Sequence, residues 1–144
     1  VQNFINGELV DATSGRRADL IDPSTGEIFG TAPVSDEHDV DAAYRAASNA
    51  FSDWRDTTPS ERQRALLKFA DALEARSEEI VAAECENTGK PIAMTTTEEM
   101  PPAIDQIRFF AGAARLLEGR SAGEYMTGHT SYIRREPVGV VGQV

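Results

Sequence analysis

The feature that most restricts the fold is the last stretch, Pro137-Val138-Gly139-Val140-Val141-Gly142-Gln143-Val144. A near-continuous apolar run of this kind suits a strand buried on both faces of a parallel sheet. Parallel strands need crossovers and neighbours, and the sequence offers none after this run. The expectation is a sheet that the chain opens and does not finish. An autonomous module would not leave such a run at an exposed edge, where it invites aggregation. The 144 residues otherwise fit one modest domain, since domains span roughly 100–200 residues.

Residues 1–34 read as short strands and turns. Phe4-Ile5 and Leu9-Val10 flank Asn6-Gly7, a dipeptide suited to a tight hairpin turn. Leu20-Ile21-Asp22, Pro23-Ser24-Thr25-Gly26 and the return run from Glu27 to Ala32 predict a second hairpin, with Pro early and Gly late in its turn.

A helical half follows. Ser35 is the expected N-cap of the first helix, and Asp36, Glu37, Asp39 and Asp41 oppose the positive end of its dipole. Val40, Ala43, Tyr44, Ala47, Phe51 and Trp54 recur at helical spacing and make an apolar face. Thr58-Pro59-Ser60-Glu61 is a capping box that starts a second helix. Leu66, Phe69, Ala70, Leu73, Ile80, Val81 and Glu84 continue it to Thr88-Gly89-Lys90-Pro91, where Gly suits a left-handed cap. The span, about 29 residues, is long for a globular helix. A third helical segment runs from about Ile92 to Leu117, interrupted or kinked at Pro101-Pro102. A loop is expected between Gly119 and Gly123. Glu124-Tyr125-Met126 and Ser131 to Arg134 then predict a hairpin around Thr127-Gly128-His129-Thr130.

Composition removes several function classes. Lys and Arg number 14 against 24 Asp and Glu, a formal net charge of −10. A nucleic-acid binder needs the opposite sign to displace counterions, and anionic membranes are disfavoured alike. No stretch approaches the roughly 20 apolar residues of a membrane span, and no signal peptide is visible. The single cysteine, Cys85, excludes an internal disulfide framework and fits a reducing, cytoplasmic setting.

Local patterns that resemble active sites dissolve on inspection. Thr88-Gly89-Lys90 lacks the first Gly and the Ser/Thr of a phosphate-binding loop, because Glu84 and Pro91 stand there. Asp36-Glu37-His38-Asp39 would point in divergent directions on a helix, so a solvated acidic N-terminus is the better reading than a metal cluster. Gly139-Val140-Val141-Gly142 is a strand signal without a following helix, not a dinucleotide fingerprint. Cys85 lies among carboxylates that raise a thiol pKa, which favours a bland buried cysteine over a nucleophile. Neither His38 nor His129 has a partner by motif.

The order of these segments is nevertheless informative. Phe4-Ile5-Asn6-Gly7, Ile21 to Glu27, Trp54 before Thr58-Pro59, Thr88-Gly89-Lys90-Pro91, Arg108-Phe109-Phe110-Ala111-Gly112 and Arg135-Glu136-Pro137-Val138-Gly139-Val140 follow one another across the chain. Together they resemble the start of an NAD(P)-dependent aldehyde dehydrogenase. Arg108 to Arg115, Ala122-Gly123-Glu124-Tyr125, Gly128 to Ser131 and Ile133-Arg134-Arg135 are similar to the bacterial 4-aminobutanal dehydrogenases, with betaine-aldehyde dehydrogenases as near neighbours.

The resemblance implies an α/β fold. Residues 1–121 would be the N-terminal part of a Rossmann-like cofactor domain, 122–136 an oligomerisation hairpin, and 137–144 the first strand of the nucleotide-binding sheet. It implies a homo-oligomer, dimer or tetramer, joined through residues 124–135. It also implies oxidation of an aldehyde to an acid with NAD, or NADP, through a Cys nucleophile, an oxyanion-binding Asn and a water-activating Glu. The Asn would lie just beyond Val144 and the other two later, so the chain would be silent alone and Cys85 does not take the nucleophile's role. Carried over residue by residue, Glu98, Glu99, Pro102 and Gln106 would border the substrate tunnel, with Glu99 and Glu98 attracting an ω-ammonium group. The carbonyl of Ile21 and the side chain of Asn87 would hold a monovalent cation, weakly, since Asn is neutral where relatives carry an acid. The competing reading is a self-standing α+β interaction or oligomerisation module. A small metal or thiol enzyme built on His38 or Cys85 is a third.

Overall fold

Two hairpins open the chain, each set by residues that tolerate positive φ. The computed structural model describes residues 1–143. Strands β1 (Asn3–Ile5) and β2 (Glu8–Val10) pair antiparallel with Ile5 opposite Glu8. Only Asn6 and Gly7 remain to turn the chain, at φ 54° and 84°, the signs that a tight hairpin turn demands. Strands β3 (Arg17–Ile21) and β4 (Ile28–Pro33) pair with a register shift at Leu20/Ile21. Their turn is held by the Asp22 carboxylate, which accepts from the Ser24 backbone N–H (2.8 Å) and hydroxyl (2.6 Å).

Helix α1 (Glu37–Arg55) starts one residue later than expected, at Asp36. The reason is competition for the serine: Ser35 Oγ exchanges hydrogen bonds with the Asn3 amide on β1 (2.9 and 3.2 Å). Asp36 accepts from the His38 N–H at 2.9 Å. Asp39 completes the capping box, its Oδ2 accepting from the Asp36 N–H at 3.0 Å. Its Oδ1 accepts from the Thr13 N–H (2.9 Å) and hydroxyl (2.7 Å). The expectation of a wholly solvated acidic terminus is therefore corrected, because Asp39 is only 6% exposed. It ties the loop after β2 to the start of α1.

The expected long second helix is two helices. Helix α2 (Pro59–Ala75) begins with the Thr58–Glu61 capping box, and α3 (Ser77–Thr88) follows. Between them Arg76 leaves helical geometry at φ −114°, ψ 17°. Ser77 Oγ donates to the Glu74 carbonyl at 2.5 Å, the local competition by which serine interrupts helices. Arg76 forks onto Glu79 across the first turn of α3. The break frees α3 to change direction. It ends as predicted at Gly89, whose φ is 73° and whose N–H donates to the Cys85 carbonyl at 2.8 Å. A Cβ on Gly89 would stand 2.9 Å from Pro23 Cγ, so the β3–β4 turn sits directly on this cap.

The proline pair does not end the third helical segment; it widens it. One turn, α4 (Ile92–Met94), passes into a π-helical turn over Thr95–Glu99 and then into α5 (Met100–Ala113). Pro101 and Pro102 lack N–H donors and crowd the carbonyls one turn back. A wider turn relieves that crowding. Thr95, Thr96 and Thr97 turn their hydroxyls onto the carbonyls of Pro91, Ile92 and Ala93. Helix α5 stops at Ala113, short of the expected Leu117, and Leu116 and Leu117 are exposed.

Helix α5 packs along α2, with Ala70 and Ala111 both 0% exposed. Arg108 straps the pair, its Nη2 reaching Glu74 Oε2 (2.5 Å) and Asp71 Oδ1 (3.0 Å). Strand β5 (Arg120–Met126) replaces the loop expected from Gly119 to Gly123, and β6 (His129–Ile133) returns opposite it. The turn is tighter than expected, just Thr127-Gly128, because Gly128 supplies φ 74° and lets Met126 pair with His129.

The three hairpins stay separate two-stranded sheets. The strand expected over residues 137–144 is not formed over 137–143, which pair with none of the three hairpins. Val138 is 94% exposed. Val144 lies outside the described residues. The apolar face of α1 is likewise uncovered, with Val40, Tyr44 and Trp54 all exposed.

Two expectations follow. The partners of Asp39, first the Thr13 N–H and then the Asp36 N–H, hold its pKa below the ordinary 3.8. The stability this gives is present above that value and disappears as pH falls through the lower folded-state value. Asp39→Asn should therefore lower Tm at neutral pH, and thermal scans should show the difference shrinking below about pH 4. Gly89→Ala should cost about 1–2 kcal/mol in urea unfolding from its left-handed backbone alone, with the Pro23 contact adding to it.

Candidate functional site

The chemically richest region is the junction of α3, the π-helical turn and α5. The C-terminal cap of α3 sends Lys90 back over its own helix, because Gly89 turns the chain and Pro91 keeps it extended. Lys90 Nζ reaches Glu84 Oε1 at 3.1 Å and Glu99 Oε2 at 2.9 Å. Its pKa is raised by those carboxylates, Glu99 first. Beneath it Cys85 is buried, with Sγ 3.5 Å from Thr95 Oγ1. The bland reading of this thiol is the one its surroundings favour, a small buried group packed under a helical turn.

A cavity of about 460 Å³ lies between α3 and α5. Its walls include Val81, Met100, Pro101 and Ile104 with Glu74, Glu78, Asp105 and Arg108 around them. Arg108 is not free to meet an anion there, since Glu74 and Asp71 hold it and raise its pKa. A second cavity, of about 540 Å³, opens beside the contact of the β3–β4 turn with the end of α3 and is lined by Asp22, Ser24, Glu86 and Lys90 among others. Asp22 has a lowered pKa, mainly from its bonds to Ser24.

The residues singled out from the sequence divide between these features. Glu99 is half-buried and committed to Lys90, so its charge is matched within the chain. Glu98 is exposed and meets only the Thr97 hydroxyl, at 3.3 Å. Pro102 and Gln106 are exposed on α5 and do not line the first cavity, whose wall is made by Pro101 and Asp105 instead. Ile21 ends β3 and Asn87 lies in the last turn of α3. These two elements meet where Gly89 sits against Pro23. Among the described residues, no group of three or more His, Cys, Asp and Glu side chains could hold a metal ion, and His38 is exposed beside Asp36. Sequence reasoning missed the Lys90 and Arg108 networks. Their partners lie on other elements, and only the capping Gly89 hinted that Lys90 would fold back.

Known proteins resemble the chain over nearly its whole length. A family model described as Aldehyde dehydrogenase family matches residues 9–144. The chain is 39% identical over 143 residues to Aldehyde dehydrogenase 1 of Tanacetum cinerariifolium, covering 98% of this chain and 28% of the relative. It is 40% identical over 142 residues to an aldehyde dehydrogenase of Paracoccus denitrificans, covering 99% and 28%. Among solved structures, PnpE in complex with nicotinamide adenine dinucleotide superposes with a TM-score of 0.91 at 35% identity, over 95% of this chain and 28% of that one. The chain thus spans about 28% of the length of the relatives it matches.

The burial of Cys85 has a direct readout. A chromogenic disulfide reagent should modify it slowly in the native protein and at once in denaturant; fast native reaction would show that the α3–Thr95 contact opens readily.

Proposed function

The chain belongs to the aldehyde dehydrogenase family, and we propose that it is the N-terminal segment of a subunit that oxidises an aldehyde to a carboxylic acid. In that reaction the aldehyde gains an oxygen from water and its hydride passes to NAD⁺. The observation that carries the reading is the family match over residues 9–144, on relatives more than three times as long. The relative solved with nicotinamide adenine dinucleotide supports the cofactor. The described residues contain no strand, glycine-rich turn and helix in succession that would cradle a dinucleotide. No cofactor step is therefore assigned to this chain's own side chains.

Within that reading the segments take separate tasks. Residues 1–121 pack around the cofactor domain, 122–136 form a subunit-joining hairpin, and 137–144 enter the nucleotide-binding sheet as its first strand. The exposure of Tyr125 (81%), Tyr132 (72%) and Val138 (94%) supports the last two, since such apolar surface is normally covered. It also weighs against a self-standing module. Ile21 and Asn87 offer oxygen donors of the kind a monovalent cation takes, where α3 meets the β3–β4 turn. A cytoplasmic location agrees with the single buried thiol.

For substrate we propose 4-aminobutanal, on the similarity of the segments from Arg108 to Arg135 to enzymes of that specificity. Of the two tunnel carboxylates, Glu98 is the better placed to meet an ω-ammonium group, because Lys90 already matches Glu99.

The test is to read the coding sequence past Val144 and assay the complete subunit. Growth of absorbance from NADH should depend on aldehyde, with kcat/KM highest for 4-aminobutanal in a panel of aliphatic aldehydes. Preference for an uncharged aldehyde would remove the substrate assignment and keep the reaction, while no aldehyde-dependent NADH would remove both.

A further inference from the structure

The π-helical turn decides which way the whole of α5 faces. One extra residue in a helical turn rotates everything after it by about 100°. Pro101 and Ile104 face the cavity against α3, whereas Pro102 and Gln106 lie outside it. Relaxation of the turn to ordinary α geometry would turn α5 by about that angle and change which of its residues face the cavity. The Met100 N–H closes the turn on the Thr95 carbonyl, and Pro101 and Pro102, just after it, contribute no N–H to the turn that follows.

Two side-chain ties add to that bond, one at each end. Thr95, at the start, contacts buried Cys85 on α3. Glu99, at the finish, is bound by Lys90, which also grips Glu84 on α3. We propose that Lys90 is a positioning residue that locks the helical phase of α5, fixing the direction in which Pro102 and Gln106 point away from the cavity. The assignment rests on the function proposed above, which puts that outward face beside the substrate. Lys90 itself touches no substrate; it acts through Glu99.

The experiment compares Lys90→Met, Lys90→Arg and Glu84→Gln in the complete subunit. Loss of the clasp should raise KM for the aldehyde about two- to five-fold, the reach of a half-exposed ion pair, while kcat stays within about two-fold. Amide exchange over Thr95–Met100 should quicken in the same variants. Arg, which can still bridge two carboxylates, should restore both readouts. Unchanged exchange overturns the lock. Faster exchange with unchanged KM, or a fall in Tm with KM and kcat moving together, overturns the positioning role. A wild-type subunit that turns over no aldehyde defeats the function reading instead, and is recognised because the failure appears before any substitution; exchange alone then upholds or overturns the lock.

Discussion

The close approach of α2 and α5 is the contact on which the helical half depends. It is possible because the residues meeting there are small: Ala70 and Ala111 lose all solvent, and no large side chain is fully buried among the described residues. A core of this kind gains from many backbone-proximal contacts more than from a few large side chains. Alanine contacts are weakly directional, so orientation falls to the Arg108 strap across Asp71 and Glu74. Glu74 accordingly has a lowered pKa, chiefly from its bonds to Arg108. Once α5 is fixed on α2, the break at Arg76 lets α3 swing under the π-helical turn, and Gly89 then brings in the β3–β4 turn.

Much of this was legible from the sequence, and the reasons differ from element to element. Asn6-Gly7, the Thr58–Glu61 box and Gly89 are local devices whose partners lie within a few residues, so the residue types alone disclose them. Arg76 carries no such mark; the pattern of Ile80, Val81 and Glu84 runs through it unchanged, and only the Ser77 hydroxyl disturbs the backbone. Ser35 reads as the cap from its immediate neighbours, and Asp36 takes that place because Asn3, on a distant segment, engages the serine. Asp39 read as a solvated charge because Thr13 lies on another segment. The proline pair signalled a disturbance, but not that three consecutive threonines would let the helix pass through it in wider form.

The candidate site divides along the same line. Glu98, Pro102 and Gln106 are grouped by the family resemblance and not by any local pattern, and of these Pro102 and Gln106 stand four residues apart on the exposed side of α5. That Glu99 differs from its neighbour was not readable, since the difference is made by Lys90, folded back from the cap of another helix. Two adjacent carboxylates of identical type thus have opposite circumstances, one neutralised by the protein and one left to its surroundings.

The phenol of Tyr44 donates to the carbonyl of Val140 at 3.2 Å. It therefore occupies, from the side of α1, one acceptor of the apolar run that no strand has paired. A neighbouring strand arriving on that run would compete for the same oxygen. Pairing of any strand at that position would be an exchange of donors, in which the Tyr44 phenol gives up the oxygen it holds and the run gives up its tie to α1.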